Sequence, residues 1–134
     1  MDPNFERAHF HLAQIYWRTG LYKEAVAEIQ TLAQFPERSG RLAYIYAASG
    51  DKPKARKLLA QALQEKRNEW DLHETDFAKV YVALGDKDEA LKWLEQASEH
   101  HSYILCYLRV DPEWDPLRSD PRFQDIVHRM AFPQ

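Results

Sequence analysis

The residues best able to do chemistry in this chain are its six histidines, its single cysteine and two close pairs of acids. His73-Glu74 begins like a zinc-protease helix, in which two histidines four residues apart bind the metal and the glutamate acts as a base. The residue four after His73 is Phe77, so that arrangement is absent. His9 and His11 are two residues apart, which on a helix directs their imidazoles to different sides. These histidines therefore do not predict a shared metal site.

The other reactive side chains also favour structural roles. His100-His101 falls at the predicted end of a helix, where the helix dipole favours a cation. Cys106 stands among aliphatic residues and is interpreted as a small buried apolar group. The acid pairs fit helix starts and turns better than a catalytic dyad; they are Asp86/Asp88 and Asp111/Asp115. With no glycine-rich phosphate loop and no G-x-S-x-G, the sequence predicts no enzyme activity, no cofactor and no metal.

Bulk composition excludes several classes of partner. The chain has 134 residues and a formal net charge of -3, so it has no basic excess with which to neutralise phosphates. One cysteine allows no intrachain disulfide. No apolar run approaches the roughly 20 residues of a membrane span, and the first residues lack the basic start and apolar stretch of a signal peptide. We expect no binding of nucleic acid or membrane by this segment, and a cytoplasmic location.

The positioning elements are predicted by a pattern that occurs three times. A large apolar residue and Ala are followed by Tyr three residues later and by Gly four residues after that: Leu12-Ala13…Tyr16…Gly20, Leu42-Ala43…Tyr46…Gly50 and Phe77-Ala78…Tyr81…Gly85. Each Gly is followed by Ala after five residues and by a large aliphatic after nine: Ala25 and Ile29, Ala55 and Leu59, Ala90 and Leu94. A period of this length indicates a helical solenoid.

The pattern predicts an all-α fold of three antiparallel helix pairs within residues 1–99, at about 4–35, 37–66 and 71–99. The repeat glycines are expected to form the turn inside each pair. We interpret the Leu-Ala and Tyr positions as core. Residues 100–134 are predicted to be a C-terminal capping segment, with a final amphipathic helix at about 121–130 that Asp120-Pro121 begins.

The pattern resembles the tetratricopeptide repeat, whose motif has the same order of Leu, Tyr, Ala and aliphatic positions. The resemblance covers about residues 4–99 and implies a scaffold that binds protein on its concave face. Residues 84–95 and 110–123 also resemble the last repeat and the tail of many bacterial multidomain regulators. That likeness implies the C-terminal end of a longer regulatory protein, and it also allows the periplasmic sensor part of a membrane regulator.

In such a solenoid the first helix of each pair lines the concave face. The residues predicted there are large aromatics, cations and polar side chains: Arg7, Phe10, Gln14, Trp17, Arg41, Tyr44, Thr75 and Lys79. Exposed aromatics and Arg are enriched in interface hot spots. We expect a peptide or protein segment with some acidic character to bind them.

Two other roles stay open. In one, the domain is an intramolecular regulatory or sensory module that acts on an upstream effector domain and has no separate peptide ligand. In the other, Phe10 and Trp17 pack against a preceding repeat or the C-terminal segment instead of a ligand. The N-terminal repeat face is also expected to expose apolar surface through which the chain self-associates.

Overall fold

The computed structural model describes residues 3–32, 38–65, 74–100 and 105–131, and every regular element in these ranges is a helix. The elements are α1 (Pro3–Arg18), α2 (Tyr22–Gln30), α3 (Arg38–Ser49), α4 (Lys52–Glu65), α5 (Glu74–Leu84), α6 (Lys87–His100), α7 (Leu105–Val110), a 3-10 helix (Pro112–Leu117) and α8 (Pro121–Ala131). The all-α helical-repeat prediction is confirmed. The predictions that concern His73, His101 and the Cys106 side chain lie outside the described residues.

The chain forms two compact units, Met1–Asp71 and Leu72–Gln134. The first unit contains two helix pairs, α1 with α2 and α3 with α4, and α2 also packs against α3. The second unit contains the pair α5 and α6 together with the C-terminal segment.

The turn inside each pair explains why Tyr and Gly recur four residues apart. Gly20, Gly50 and Gly85 have φ of 85°, 98° and 87°, in the left-handed region that favours glycine. In each turn the residue after Gly donates its backbone N–H to the carbonyl oxygen of the repeat Tyr, over 2.8 to 2.9 Å. This is the Schellman ending, which satisfies a carbonyl that the helix leaves unpaired.

The small repeat residues lie where the helices of a pair meet. Ala13 and Ala25 in the first pair and Ala43 and Ala55 in the second are fully buried. Leu42 is buried as expected, but Leu12 is 41% exposed, so its interpretation as a core residue is wrong. The repeat pattern gives both leucines the same place on their helices, and only neighbouring elements decide whether that place is covered.

The core of the second unit extends from α5 and α6 into the C-terminal segment. Trp114 and Leu117 of the 3-10 helix and Phe123 and Ile126 of α8 join it, each at most 3% exposed. Asp120 accepts the backbone N–H of Arg122 over 2.9 Å, which confirms it as the cap of α8.

Ion pairs fasten α8 to α6 along its exposed side. Arg122 Nη1 lies 2.7 Å from Asp88 Oδ1, and Arg129 Nη2 lies 2.5 Å from Glu95 Oε1. The hydrogen bonds from Asp120 and Asp88 raise the pKa of Arg122, and that from Glu95 raises the pKa of Arg129. Both arginines therefore stay charged while they hold the helix.

Candidate functional site

Aromatic side chains of α1 and α3 form a continuous row in the first unit. The Phe10 and Trp17 rings, two turns apart on α1, have centroids 5.9 Å apart and meet edge to face. The Trp17 and Tyr44 rings are 5.8 Å apart in the same geometry. Such pairs contribute about 0.5–1.5 kcal/mol beyond the burial of their area. The row therefore fixes how α3 lies against α1.

The accessible part of this row lies at its two ends. Trp17 is only 5% exposed, and its indole nitrogen is buried with no hydrogen-bond partner among the described residues. Phe10 and Tyr44 are half-buried, and both pack against the core of the first unit. A ligand on this surface would contact Phe10 and Tyr44, with Trp17 as their support.

Cationic and polar groups accompany the aromatic row. The Arg41 guanidinium carbon lies 4.6 Å from the centroid of the Phe10 ring, a cation–π contact between α3 and α1. Arg41 and Gln14 are half-buried, whereas Arg7 is exposed. Because α3 has no acidic residue, its contribution to this surface is positively charged. We call this surface the α1–α3 face, and its residues are Arg7, Phe10, Gln14, Trp17, Arg41 and Tyr44.

The other two residues of the predicted set, Thr75 and Lys79, lie on α5 in the second unit. Thr75 is half-buried. Lys79 Nζ is 3.6 Å from Asp111 Oδ2 and 3.6 Å from Glu113 Oε1, and it lies 5.6 Å from the centroid of the Trp114 ring. The C-terminal segment therefore supplies the partners of Lys79.

Comparison with protein families now bears on this arrangement. Two tetratricopeptide repeat models match the chain, one over residues 47–102 and the other over residues 6–34. The chain belongs to the tetratricopeptide repeat family. No curated protein and no solved structure matches it.

Membership in the tetratricopeptide repeat family agrees with the geometry of the turns. The matched residues contain all three repeat glycines and the Ala that follows each one by five residues. Tetratricopeptide repeats are in general protein–protein interaction motifs and typically non-catalytic. The chain is therefore assigned to interaction modules as a class.

Two further observations concern chemistry and membranes. Within the described ranges, no group of three or more His, Cys, Asp or Glu side chains is placed to hold a metal ion. No helix in those ranges is long and apolar enough to cross a bilayer.

Sequence reasoning missed the partners of Lys79 in this tetratricopeptide repeat chain. Asp111 and Glu113 were interpreted only as part of a proline-rich turn, yet the Glu113 side chain is 2% exposed. A usable signal was present, because two acids and a Trp within four residues form a unit that can surround a cation. The period of the repeat could not reveal which cation that would be.

A cavity in the first unit was also not foreseen. It has a volume of about 570 Å³ and lies between the α1–α2 turn and the C-terminal end of α3. Leu21, Tyr22 and Tyr46 line it, and Leu21 is 47% exposed. Leu21 stands where the other two repeats have a capping Asp, and it makes no side-chain cap to α2.

Proposed function

We propose that this tetratricopeptide repeat chain binds a peptide or protein segment on the α1–α3 face. The observation that supports the proposal best is the row of Phe10, Trp17 and Tyr44 with the Arg41 guanidinium over one end. Aromatic residues and Arg are enriched at interface hot spots, and they act best when neighbouring groups exclude water from them.

The packing of the row favours binding on energetic grounds. Binding normally costs about 0.5–1.5 kcal/mol for each flexible side chain that becomes fixed. The Trp17 ring is buried between Phe10 and Tyr44, so their orientations are set before a ligand arrives. A ligand on this face therefore has few side chains to immobilise.

The first unit carries most of the proposed site. Lys79 has two carboxylates and an aromatic ring beside it, so its charge serves the packing of the C-terminal segment first. Thr75 stays in the proposal as a half-buried polar group on α5. The positively charged contribution from α3, with exposed Arg7 at the end of α1, favours a ligand with some acidic character.

The proposal extends to the setting of the domain. We place it in a larger bacterial regulatory protein in the cytoplasm, on the resemblance of residues 84–95 and 110–123 to such regulators. The net charge of -3 supports a partner that is a protein and not a nucleic acid. Under the alternative proposal, the segment bound at the α1–α3 face belongs to an upstream effector domain of the same protein.

A peptide-library selection on the purified chain tests the proposal. The parent is compared with the double variant Arg7→Glu/Tyr44→Ala, and Lys57→Glu serves as a control because Lys57 is an exposed cation on α4. We expect the parent and Lys57→Glu to capture the same motif, and the double variant to bind it at least about tenfold more weakly, a loss of about 1.4 kcal/mol.

Circular dichroism spectra and melting curves of all three proteins check that they fold alike. A motif that the double variant retains would contradict the proposed site. Failure of the parent to select any motif would favour the intramolecular alternative, which is then tested by adding the upstream domain in trans.

A further inference from the structure

One side of α1 exposes large apolar side chains that do not belong to the α1–α3 face. Phe5 is 47% exposed, Leu12 41% and Ile15 58%, and Ala8 between them is also exposed. Their spacings of three, four and three residues place all four on one side of the helix. We call them the N-terminal stripe.

The repeat itself provides a measure of what this stripe is built to contact. Leu42 and Ile45 occupy in α3 the positions that Leu12 and Ile15 occupy in α1, and they are 6% and 0% exposed. The corresponding α5 residues, Phe77 and Val80, are 2% and 0% exposed.

In the first unit, the cover over these positions is a helix. Leu42 and Ile45 share a core cluster with Ile29 and Leu32, and α2 packs against α3. The N-terminal stripe therefore continues, one repeat earlier, the kind of interface that already holds α2 on α3. Its natural occupant is an apolar helix face.

We infer that the N-terminal stripe pairs with the same stripe of a second copy of this chain, with the two α1 helices antiparallel. The inference rests on the proposed role in protein interaction and adds a second surface to it. A two-fold interface must be self-complementary, and the spacing of the stripe meets that condition. Phe5 lies opposite Ile15 of the partner subunit, and Ala8 lies opposite Leu12 of the partner subunit, so a small side chain faces a large one at the centre.

The charges near the stripe are compatible with this pairing. The stripe itself has no ionisable group. Along one edge the His9 ring is hydrogen-bonded to the Glu28 carboxylate, and both side chains are half-buried. Two-fold symmetry brings this edge against its own copy, so each chain contributes one acid and one imidazole to it. With a net charge of -3 per chain, long-range repulsion between the copies is modest.

Sedimentation equilibrium of the purified chain tests the inference. One helix from each copy makes a small interface, so we expect the mass to rise from one chain to two at about 10–100 µM. Ile15→Lys should keep the chain monomeric throughout that range. A mass that stays that of one chain for the parent would overturn the inference.

Matched variants separate this surface from others. Val110→Lys replaces another exposed apolar residue, 72% exposed on α7, and should leave the dimer intact. If it dissociates the dimer while Ile15→Lys does not, the interface lies on α7 and the inference is wrong. If the library motif is lost in Ile15→Lys, the stripe serves a heterologous partner and the inference is equally wrong. Leu12→Gln repeats the test in case the lysine variant misfolds.

The orientation has its own test, made in a Cys106→Ser background. Ala8→Cys mixed with Leu12→Cys should form a mixed disulfide dimer on oxidation, because these positions face each other only in the antiparallel arrangement. A disulfide that forms with Ala8→Cys alone would indicate parallel helices and overturn that part of the inference. The variant Arg7→Glu/Tyr44→Ala should still dimerise, so failure of peptide binding and failure of dimerisation are told apart.

Discussion

The first helix of a repeat is used differently in the two units. In the first unit, α1 and α3 join through aromatic rings, with Arg41 over Phe10 and with Arg7 exposed. In the second unit, the equivalent helix α5 holds Lys79 against Asp111 and Glu113 of the C-terminal segment. One repeat pattern thus supports an accessible mixed surface in one unit and an internal ion cluster in the other.

The comparison shows that a repeat position has no function of its own. Gln14, Tyr44 and Lys79 are equivalent in the pattern, yet only Lys79 has carboxylates returned to it by chain beyond the repeats. Its role follows from the acidic, Trp-containing segment that follows α7. The predictions below test how far the two units differ.

The largest effect is expected for Lys79→Met. It removes a cation that is 12% exposed from a Glu113 carboxylate that is 2% exposed, and breaking a buried pair of this kind costs about 2–4 kcal/mol. Urea denaturation measures the loss, and hydrogen exchange should rise in 74–131 more than in 3–32.

Two companion variants qualify that result. Lys92→Met removes an exposed partner of Glu89, with Lys92 71% exposed, and should change stability by less than about 0.5 kcal/mol. Adding Glu113→Gln to Lys79→Met should recover part of the loss. If Lys79→Met is as mild as Lys92→Met, α5 is no more engaged than α1 and the contrast between the units fails.

A glycine pair gives effects of opposite sign. Gly50→Ala places a side chain on backbone with φ of 98° and should destabilise by about 1 kcal/mol. Gly40→Ala lies inside α3, where an added Cβ meets nothing within 4 Å, and should stabilise by about 0.5–1 kcal/mol. Thermal melts of both variants check the signs. Stabilisation by both would mean that the turn relaxes out of the left-handed region.

A smaller effect distinguishes the first repeat from the other two. Asp51 and Asp86 cap their helices by accepting backbone N–H groups over 3.3 and 3.2 Å, whereas Leu21 makes no such bond. Leu21→Asp should therefore stabilise by about 0.5–1 kcal/mol. Asp86→Ala should destabilise by a similar amount. A loss of stability in Leu21→Asp would show that packing of Leu21 outweighs the missing cap.

The smallest effect concerns pH and the second unit. Hydrogen bonds from the Arg122 side chain and backbone lower the pKa of Asp120 below its ordinary value of 3.8. A carboxyl with a lowered pKa in the folded state contributes stability above its unfolded pKa and loses it as the pH falls through the folded value. The wild type should therefore exceed Asp120→Asn in melting temperature at neutral pH. The difference should shrink below about pH 4, and a constant difference down to about pH 2 would contradict this account.

Local signals in the sequence accounted for much of the fold. The glycine positions, the Ala pairs and the cap at Asp120 depend on backbone conformation and on neighbours within a few residues, so they can be inferred without tertiary structure. The candidate site was foreseen less completely. Phe10, Trp17 and Tyr44 were correctly placed on the first helices of their pairs, but the burial of Trp17 was not anticipated.

The sequence by itself determined that this chain is a helical repeat, because period, turn chemistry and apolar spacing all act over short distances along the chain. Only the tertiary structure decided that Leu12 is exposed while Leu42 is buried, and that Lys79 has its charge satisfied by Asp111 and Glu113. These outcomes depend on which distant segments come to lie against otherwise equivalent positions. That choice is made by packing across the fold and is not written in any one repeat.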